Sequence, residues 1–414
     1  MKLALVDGAL GHTGSFLVRH LLDEGWDVVA TDLKETDRDV IMTKEKVFSD
    51  KLKYLDCREW KGVKYVSADL TKKESLKALF SEDLFPEGKK NYDVIFHPAS
   101  LYDYGASYEL LHKVNYDGLK NLVEVMMEHT KKTNTESPHL IHWSTCGVYG
   151  EPIYQKDEDG YIYPISEEAP FDPPNNYSQT KVEQEKLLKK LEEQDDNLKV
   201  TIMRSAPIYG PYQTYGMFHI YHMLHKMGNI LLPKVFPKKH KLMMPMIRVE
   251  DLVDAAIFLA EKDDSIGEVY NVVNDTPPQE DFLEFIYNEL GVDFFTIPCP
   301  WFLYKVLAKI VYNLGELKEE KAHKYEVRPK FDLPMVGYLT HQYYFSNQKI
   351  KELGFKFQYN DYKESNRETI AWYKERGWFE ELNIKEREFV NKEAKAALPP
   401  EEPYKTPMEG GEVF

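Results

Sequence analysis

Three glycines at three-residue spacing directly follow the first apolar run of the chain. Leu3–Val6 is predicted to be a buried strand, and Gly8, Gly11 and Gly14 lie where a helical pattern begins. In such a turn the first glycine permits a tight bend, the second lets the backbone approach a pyrophosphate, and the third lets the helix pack closely on the strand. The helix N-terminus then offers N–H groups and a partial positive charge to phosphates. This turn predicts a βαβ unit that opens a parallel sheet.

The first half of the chain alternates short β-branched runs with stretches of helical periodicity, such as Ser15–Glu24 and Tyr116–His129. The predicted strands are Leu3–Val6, Val28–Thr31, Val63–Ser67, Val94–His97, Leu140–Ser144 and Val200–Arg204. Alternation of this kind is typical of βαβ units on a parallel sheet. The predicted fold class is therefore α/β, a Rossmann-type doubly wound sheet with a smaller mixed lobe after it.

We predict three parts. Residues 1–210 form the dinucleotide-binding domain, with a charged excursion at 34–60. Residues 211–380 form a substrate-binding lobe, of which some segments return to the main sheet, and residues 381–414 form a charged tail. Within the lobe the predicted elements are helices at Met217–Met227 and Leu252–Glu261 and a strand at Glu268–Val273.

Composition excludes several classes of partner. The formal net charge is −16, so the average surface repels phosphate backbones and anionic lipid headgroups, which disfavours binding to nucleic acid, although a basic patch could still exist locally. Cys57, Cys146 and Cys299 fit neither a disulfide framework nor metal-ligand spacing, so we expect a reducing, cytoplasmic setting and no metal. The chain enters a strand from Lys2, which leaves no room for a signal peptide.

The apolar run Trp301–Leu314 is interrupted by Lys305 and Lys309, and it is too short and too charged to span a bilayer. Two interpretations stay open. Its amphipathic spacing favours a core helix or a lid over the substrate, and the alternative is a peripheral membrane contact.

The second predicted strand leads to Asp32, close to the offset at which a carboxylate accepts hydrogen bonds from the adenosine ribose. A carboxylate there would repel a 2′-phosphate, which favours NAD over NADP. Lys34 and Arg38 nearby keep NADP as the alternative.

Asp69 and Leu70 follow the third predicted strand. The Asp69 carboxylate has two interpretations that are compatible with each other. It contacts the adenine amino group, or it caps a helix that starts near Thr71.

The fourth predicted strand ends in a histidine and small residues. Pro98, Ala99 and Ser100 stand where the chain must pass close to the cofactor. His97 could suggest catalysis, but a histidine at a strand end is more often structural, and we predict that role for it.

Tyr177 and Lys181 are four residues apart in a stretch of helical pattern, which puts both side chains on one helix face. Upstream, Leu140–Ser144 is followed by Thr145, a hydroxyl at the carboxyl end of a predicted parallel strand. Ligands of open α/β sheets bind at that edge. The glycine turn, the hydroxyl and the Tyr–Lys pair, in this order, predict a site for hydride transfer.

With these motifs the chain resembles the extended short-chain dehydrogenases/reductases over roughly residues 1–377. The matching segments are the glycine trio, Asp69-Leu70, His97-Pro98-Ala99, Val114-Asn115 with Gly118, Ser144-Thr145 with Val148-Tyr149-Gly150, Tyr177 with Lys181, Arg204 with Pro207 to Pro211, and Arg248 to Asp251. The resemblance implies NAD as cofactor and Thr145, Tyr177 and Lys181 as catalytic residues. The cofactor contacts that it implies are Gly8, Gly11, His12, Thr13, Gly14, Asp32, Asp69, Leu70, Pro98, Ala99, Ser100, Asn115, Tyr177, Lys181, Pro207 and Ile208.

The chemistry expected of the catalytic trio follows from the tyrosine. Its reference pKa of about 10 is too high for a base at neutral pH. The Lys181 ammonium and the positive nicotinamide would both favour the phenolate and lower that pKa. Tyr177 would then exchange a proton with the substrate oxygen, Thr145 would orient that oxygen, and Lys181 would also hold the nicotinamide ribose.

Two features bear on the substrate. Cys146 and Gly147 occupy the places of the acid pair of 4,6-dehydratases, which disfavours that class. Nucleotide-sugar enzymes commonly place an arginine where this chain has the methionine-rich segment 242–247, and methionines suit an oily ligand. Lys238, Lys239 and Lys241 lie close by and could replace that arginine.

The C-terminal part resembles the branch of 3β-hydroxysteroid and sterol-4α-carboxylate dehydrogenases, with Pro300-Trp301 opening the apolar helix and an aromatic strand at Tyr343–Phe345. We therefore expect an NAD-dependent dehydrogenase acting on the secondary alcohol or ketone of a hydrophobic, 3β-hydroxysteroid-like substrate. The alternative is a nucleotide-sugar 4-epimerase with tightly bound NAD. A non-catalytic redox sensor is disfavoured because Tyr177 and Lys181 are both present.

The resemblance also implies a homodimer. Its four-helix interface would use the predicted helices Tyr116–His129 and Val182–Leu191 of each subunit.

Overall fold

The structure, a computed structural model, describes residues 1–33, 55–102, 106–158, 162–213, 216–227, 231–237, 241–324, 337 and 341–381. Its centre is a sheet of seven strands in the order β3-β2-β1-β4-β5-β6-β10, and every neighbouring pair is parallel. These strands are β1 (Leu3–Val6), β2 (Asp27–Ala30), β3 (Val63–Tyr65), β4 (Val94–His97), β5 (His139–Thr145), β6 (Lys199–Ser205) and β10 (Val269–Val272). The predicted doubly wound α/β fold is confirmed.

Helices connect the strands and complete the lobe. They are α1 (His12–Asp23), α2 (Lys73–Leu76), α3 (Tyr108–Leu111), α4 (Gly118–Thr133), α5 (Asn176–Glu192), α6 (Met217–Met227), α7 (Val249–Ala260), α8 (Gln279–Leu290), α9 (Trp301–Lys324), α10 (Gln348–Glu352), α11 (Tyr362–Glu375) and α12 (Trp378–Glu381). Two small parallel sheets lie outside the main sheet. They pair β7 (Ile208–Tyr209) with β9 (Ile247–Arg248), and β8 (Leu232–Pro237) with β11 (Phe294–Cys299).

The central strand β1 is buried on both faces. Ala4 and Val6 belong to one apolar cluster, whereas Leu3 and Leu5 belong to another. Successive side chains of a strand point to opposite faces, so the two clusters are the cores on either side of the sheet. This is why the strand is a continuous apolar run and does not alternate with polar residues.

The order of the strands creates the crevice for a ligand. The chain moves outward from β1 through β2 to β3, and then returns to place β4 on the other side of β1. Connections on the two sides of such a switch point diverge, which leaves a cleft at the carboxyl ends of β1 and β4. The glycine turn after β1 and the segment Pro98–Ser100 after β4 both begin at this edge.

Several predicted elements need correction or fall outside the described residues. Tyr343–Phe345 is not a strand, because no strand of the described residues runs beside it. Only Phe345 forms an isolated bridge, with Ile165, and its ring stacks on Tyr149 at 5.6 Å. Most of the excursion at 34–60 and nearly all of the tail at 381–414 lie outside the described residues. The division at residue 210 stays a prediction, although β10 does return from the lobe to the main sheet.

Helix α9 is longer than predicted, and it is not a core helix. Trp301, Tyr304 and Ala308 turn inward, but Phe302 is 72% exposed and Ile310 is 50% exposed. Among the residues that the structure describes, no helix is both long enough and apolar enough to cross a membrane.

Candidate active site

The glycine turn is too tightly packed for a side chain at Gly8 or Gly14, and it leaves little room for one at Gly11. Gly8 adopts φ +56°, and a Cβ there would lie 2.9 Å from the Cα of Ala99. A Cβ on Gly14 would lie 2.2 Å from the carbonyl oxygen of Gly8, and one on Gly11 would lie 3.1 Å from the same oxygen. The first turn of α1 therefore rests directly on the end of β1, as the spacing predicted.

The N-terminus of α1 is suited to an anion. Its N-cap, Gly11, makes no side-chain hydrogen bond to the helix, and the first turn carries no acidic residue. The His12 ring lies 2.8 Å from the carbonyl oxygen of Pro211, and the Thr13 side chain is half-buried. The first N–H groups of this helix are not capped by a side chain, and the glycine backbone beside them carries no Cβ. Both features fit the binding of a pyrophosphate.

Asp32 lies directly beside this turn. Its carboxylate accepts a hydrogen bond from the Leu10 N–H at 2.9 Å and one from the Leu33 N–H at 2.8 Å. An ionised carboxylate only accepts hydrogen bonds, as contact with ribose hydroxyls requires. The half-buried position at the end of β2 fits the predicted contact with NAD.

Asp69 closes a turn. Its Oδ1 accepts hydrogen bonds from the Thr71 N–H at 3.0 Å and from the Thr71 hydroxyl at 2.7 Å, and α2 begins two residues later. Leu70 packs against Gly118, where a Cβ would approach the Leu70 Cβ to 3.2 Å. The structure thus shows the turn-forming role of Asp69, while the contact with adenine stays a prediction.

Asn115 joins the loop after β4 to helix α5. It is buried in the π-helical segment His112–Asp117, a form of helix that often marks functional sites. Its Oδ1 accepts hydrogen bonds from the Leu101 N–H at 2.7 Å and the Ser100 hydroxyl at 3.1 Å, and its amide donates to Thr180 Oγ1 at 3.2 Å. This bridge fixes the Pro98–Ser100 segment against the helix that carries Tyr177.

Helix α5 presents the Tyr–Lys pair from a capped start. The Asn175 side chain accepts a hydrogen bond from the Ser178 N–H at 2.8 Å, so the helix begins just before Tyr177. The Lys181 Nζ lies 5.8 Å from the centroid of the Tyr177 ring and donates to the Trp143 carbonyl at 2.8 Å. The Tyr102 and Tyr177 rings pack edge to face, with their centroids 5.1 Å apart. The structure therefore brings the predicted pair together.

Burial lowers the pKa of the Lys181 amine. The side chain is 1% exposed. Burial lowers its pKa from 10.5 to about 7, although the carboxylates of Asp7 and Glu185 oppose that shift. An amine with a pKa close to neutrality gains or loses its proton readily as the charge of its neighbours changes.

A row of buried polar groups lies behind Lys181. His97 was considered in the sequence analysis, but the other two, Asp7 and His142, were missed. The fully buried Asp7 carboxylate accepts hydrogen bonds from the Ala99 N–H at 2.9 Å and from the His97 ring. The His97 and His142 rings stack with centroids 5.4 Å apart. Burial, helped by the positive charge of Lys181, holds the pKa of His142 well below its usual range. His97 thus packs and pairs in the interior, in line with its predicted structural role. The only signal for Asp7 was a carboxylate at the end of an apolar strand.

Thr145 is the last residue of β5, and the turn that follows it packs against α5. Its hydroxyl accepts a hydrogen bond from the Gly147 N–H at 3.0 Å and caps the short 3₁₀ turn Cys146–Tyr149. A Cβ on Gly147 would lie 2.9 Å from the Ser178 hydroxyl, so this turn abuts the residue after Tyr177. The half-buried Pro207 and Ile208 lie near the start of β7, outside the main sheet.

Two of the three methionines of segment 242–247 pack in the protein core. Met244 and Met246 are 3% and 1% exposed, and both belong to the main apolar core. The Met244 N–H donates to the Pro277 carbonyl at 3.0 Å, which seals the segment against the lobe. Met244 and Met246 therefore give no support to an apolar ligand, because packing within the protein accounts for them.

An ion pair inside the protein holds α5 on the sheet. Arg204 of β6 and Glu185 of α5 lie 2.7 Å apart and are 4% and 3% exposed. Arg204 also donates to the Tyr149 hydroxyl at 2.7 Å and to the Glu167 carbonyl at 2.8 Å. Glu185 accepts a further hydrogen bond from the Ser144 hydroxyl. The network thus positions Tyr177 without touching it.

Replacing Arg204 by Met is expected to lower the free energy of unfolding by about 3 kcal/mol, because the Glu185 carboxylate would stay buried without its cation. Urea denaturation at neutral pH measures the change. The double variant Arg204→Met/Glu185→Gln should recover part of the loss, since it removes the unpaired charge. A single variant within 1 kcal/mol of the unaltered protein would contradict a structural role for the pair.

Replacing Gly14 by Ala is expected to weaken NAD binding by at least about tenfold, roughly 1.4 kcal/mol, because the new Cβ would push α1 away from Gly8. Titration of the cofactor-free protein with NAD measures the effect. Gly25→Ala is the matched control, since Gly25 lies just beyond the other end of α1 with open space around it. It should cost some stability through its positive φ but leave NAD affinity unchanged. Equal NAD affinity in both variants would contradict the proposed cradle.

The fold and the site define a class: an α/β protein that binds a dinucleotide at the switch point and carries a Tyr–Lys pair beside it. The sequence profile of the NAD dependent epimerase/dehydratase family matches residues 4–273. The chain belongs to this family, within the extended short-chain dehydrogenases/reductases, and NAD is its cofactor.

Curated relatives are distant. UDP-glucose 4-epimerase 2 of Arabidopsis thaliana is 27% identical over 206 residues, which are 49% of this chain and 51% of that protein. The bifunctional protein gal10 of Schizosaccharomyces pombe is 29% identical over 48% of this chain and 25% of its own length. UDP-arabinose 4-epimerase 1 of Arabidopsis thaliana is 27% identical over 50% of this chain and 43% of its own length. The chain spans about half the length, or less, of these relatives.

Solved structures share the whole architecture. A UDP-glucose 4-epimerase from Thermotoga maritima, solved with UDP-glucose, superposes with a TM-score of 0.62 at 18% identity, over 90% of this chain and 99% of that one. A dTDP-glucose 4,6-dehydratase from Bacillus anthracis, solved with NAD, superposes with a TM-score of 0.61 at 18% identity, over 91% and 97%. At this level of identity the likeness establishes the fold.

Proposed function

We propose that the protein is a nucleotide-sugar 4-epimerase, which inverts the configuration at a sugar carbon and regenerates its NAD in each cycle. The observation that carries the proposal is the buried Lys181 ammonium 5.8 Å from the Tyr177 ring, on a helix fixed beside the glycine cradle. Two of the curated relatives support the sugar substrate, since they are named as 4-epimerases of UDP-glucose and UDP-arabinose. This is the alternative, and not the main expectation, of the sequence analysis.

In this proposal the residues of the chain would have separate roles in binding NAD and in transferring the proton. The glycine turn and the start of α1 hold the pyrophosphate of NAD, and Asp32 accepts from the adenosine ribose. Bound NAD supplies a hydride acceptor that can return the hydride. Tyr177 takes the proton of the sugar hydroxyl and later gives it back, while Thr145 orients that oxygen. Lys181, when protonated, stabilises the Tyr177 phenolate through its charge.

A hydrophobic, 3β-hydroxysteroid-like alcohol has less support. Met244 and Met246, two of the methionines that favoured it, are core residues, and two of the relatives are named as 4-epimerases of UDP-glucose and UDP-arabinose. The hydrophobic alcohol is therefore kept as a second outcome of the assay below.

A dehydratase is disfavoured by the neighbours of Thr145. Cys146 is fully buried, and its thiol donates a hydrogen bond to the Arg204 carbonyl at 3.2 Å. Burial raises the pKa of that thiol well above its usual range. A thiol that is neutral, buried and already bonded cannot serve the elimination step, and Gly147 has no side chain to serve it.

An assay with UDP-sugars and hydroxysteroids tests the proposal. The purified protein is incubated with UDP-glucose, UDP-galactose and UDP-arabinose, and the products are separated while NADH absorbance is recorded. We expect interconversion of one sugar pair without net NADH. Net reduction of added NAD by hydroxysteroids alone would instead establish the dehydrogenase of the sequence analysis. NAD binding without turnover of any member of the panel would refute the proposal. The homodimer stays a prediction, which sedimentation of the same sample tests.

A further inference from the structure

Helix α9 carries an apolar face that the described part of the protein leaves exposed. The structure has seventeen exposed large hydrophobic side chains among its described residues, and eight of them belong to this one helix. They are Phe302, Leu303, Val306, Leu307, Ile310, Val311, Leu314 and Leu317, each between 41% and 72% exposed. Exposed apolar clusters of this kind mark sites of interaction.

The face is continuous. At about 100° per residue, all of these side chains except Val311 fall within an arc of about 140° around the helix axis. We name this arc, with Phe302 at one edge and Leu307 at the other, the apolar face. It is broader than the narrow a/d seam that joins two helices of a coiled coil.

The opposite side of α9 holds the helix to the protein. Tyr304 is 8% exposed and packs with Leu242 and Cys299, and Trp301 and Ala308 lie against the same cluster. The rings of Trp301 and Tyr304 stack at 5.9 Å. The first two turns are thus anchored, and the anchoring directs the apolar face away from the protein.

Up to Leu314 the charge beside the face is positive, in contrast to the rest of the chain, and acidic residues begin at Glu316. One residue in six is acidic overall, yet no Asp or Glu occurs from Phe294 to Gly315. Lys305 and Lys309 are exposed and lie just beyond the Phe302 edge of the face. Lysine side chains at such an edge lay their methylene stems along apolar surface while the ammonium reaches outward.

A lipid surface suits the first part of this face better than a second copy running parallel to it. Paired helices choose their partners through opposite charges beside the seam. From Phe302 to Leu314 the only charged residues of α9 are Lys305 and Lys309, so a parallel pairing would set them against the same lysines, and only an antiparallel copy would bring its Glu316 towards them. A layer of lipid with anionic headgroups satisfies both features, since it receives the apolar side chains and neutralises the ammonium groups.

We propose that α9 is a membrane-surface helix, lying in the plane of an anionic bilayer with its apolar face in the acyl boundary and Lys305 and Lys309 at the headgroups. It cannot span the bilayer, as noted above for every described helix. The proposal is independent of the substrate, so it stands or falls apart from the proposed epimerase activity.

Flotation of the full-length protein with vesicles tests it. Vesicles of phosphatidylcholine with roughly one third phosphatidylserine are compared with vesicles of phosphatidylcholine alone. We expect co-flotation with the mixed vesicles, and at least a tenfold loss of binding in Leu307→Glu/Ile310→Glu. Ile153→Glu is the matched control, because Ile153 is 97% exposed and lies outside α9. It should bind as the unaltered protein does. Thermal unfolding and NAD binding should be unchanged in all variants, which shows that they fold.

The lysines give a second, separate readout. Each lysine removed in Lys305→Gln and Lys309→Gln should weaken binding to the mixed vesicles about fivefold, with little change on neutral vesicles. Lys90→Gln, an exposed lysine elsewhere, should have no effect on either. Failure of the unaltered protein to float, or equal flotation of Leu307→Glu/Ile310→Glu, overturns the proposal. Self-association that Ile310→Glu abolishes, without vesicle binding, also overturns it, because a second copy would then cover the face.

Discussion

Replacing Tyr177 by Phe is expected to lower kcat for sugar interconversion about 10³-fold while the affinity for NAD changes little. Only the phenolic oxygen can exchange a proton with the substrate, and general acid–base groups contribute about 10²–10⁴-fold. The ring itself would stay in place, since it packs against Tyr102 and is 7% exposed. Steady-state rates and NAD titration of the purified variant measure both quantities.

Tyr102→Phe is the control for this variant. Tyr102 supplies a second phenol whose ring contacts Tyr177, but it is not on α5 and is 40% exposed. Its loss should change kcat by less than about threefold. If Tyr177→Phe kept more than a tenth of the activity, or if the two variants were equally impaired, proton exchange by Tyr177 would be refuted.

Replacing Lys181 by Met is expected to lower the activity about 10³-fold and yet to stabilise the cofactor-free protein. Activity falls because the Lys181 ammonium, 5.8 Å from the Tyr177 ring, would no longer favour the phenolate. Stability rises because an amine that is 1% exposed no longer has to be buried. The pKa of Lys181, lowered to about 7 by burial, is the measure of that strain.

The sign of the effect depends on pH. Because the pKa of the folded protein is about 7 and the ordinary value is 10.5, the unfolded chain binds the extra proton between these limits. The free energy of unfolding of the unaltered protein should therefore rise as pH increases from 7 towards 10. Lys181→Met lacks this contribution, so its stability advantage is largest at and below pH 7 and shrinks as pH rises.

The size of the advantage is bounded. At about 1.4 kcal/mol per pKa unit, the shift corresponds to at most about 5 kcal/mol. Methionine leaves the Trp143 carbonyl without its donor, which costs about 1–3 kcal/mol, so we expect a net gain of about 2 kcal/mol at pH 7.

Urea unfolding of the cofactor-free protein from pH 6 to pH 10 measures this dependence. Lys186→Met is the control, because Lys186 is an exposed lysine of the same helix. It should show neither the gain nor its pH dependence. A Lys181→Met variant that is less stable than the unaltered protein at pH 7 would contradict the assignment of a strained, buried amine.

The main sheet could be predicted from the sequence because its strands are locally encoded. Six of its strands lie within two residues of their predicted ends, and β10 was predicted at Glu268–Val273 and found at Val269–Val272. Buried parallel strands are short runs of β-branched and apolar residues between turns, and that pattern survives without tertiary information. The aromatic run Tyr343–Phe345 has the same local pattern but no neighbouring strand, so it is not part of a sheet.

The substrate preference could not be predicted, because it depended on where side chains point. The methionines of segment 242–247 would suit either a pocket wall or a core, and only the packing of Met244 and Met246 distinguishes the two. Helix α9 shows the opposite case. Its amphipathic pattern favoured a buried apolar side, yet Tyr304 and Ala308 face inward and the broader apolar face points out.

Spacing along the chain, by itself, determined the glycine turn, the helix that pairs Tyr177 with Lys181 and the succession of strands, because each depends on residues within a few positions of one another. The tertiary structure alone decided how far the pKa of Lys181 falls, since burial and the carboxylate of Asp7 act on it from distant parts of the chain. Desolvation is a property of everything that surrounds a group, and no local pattern encodes it.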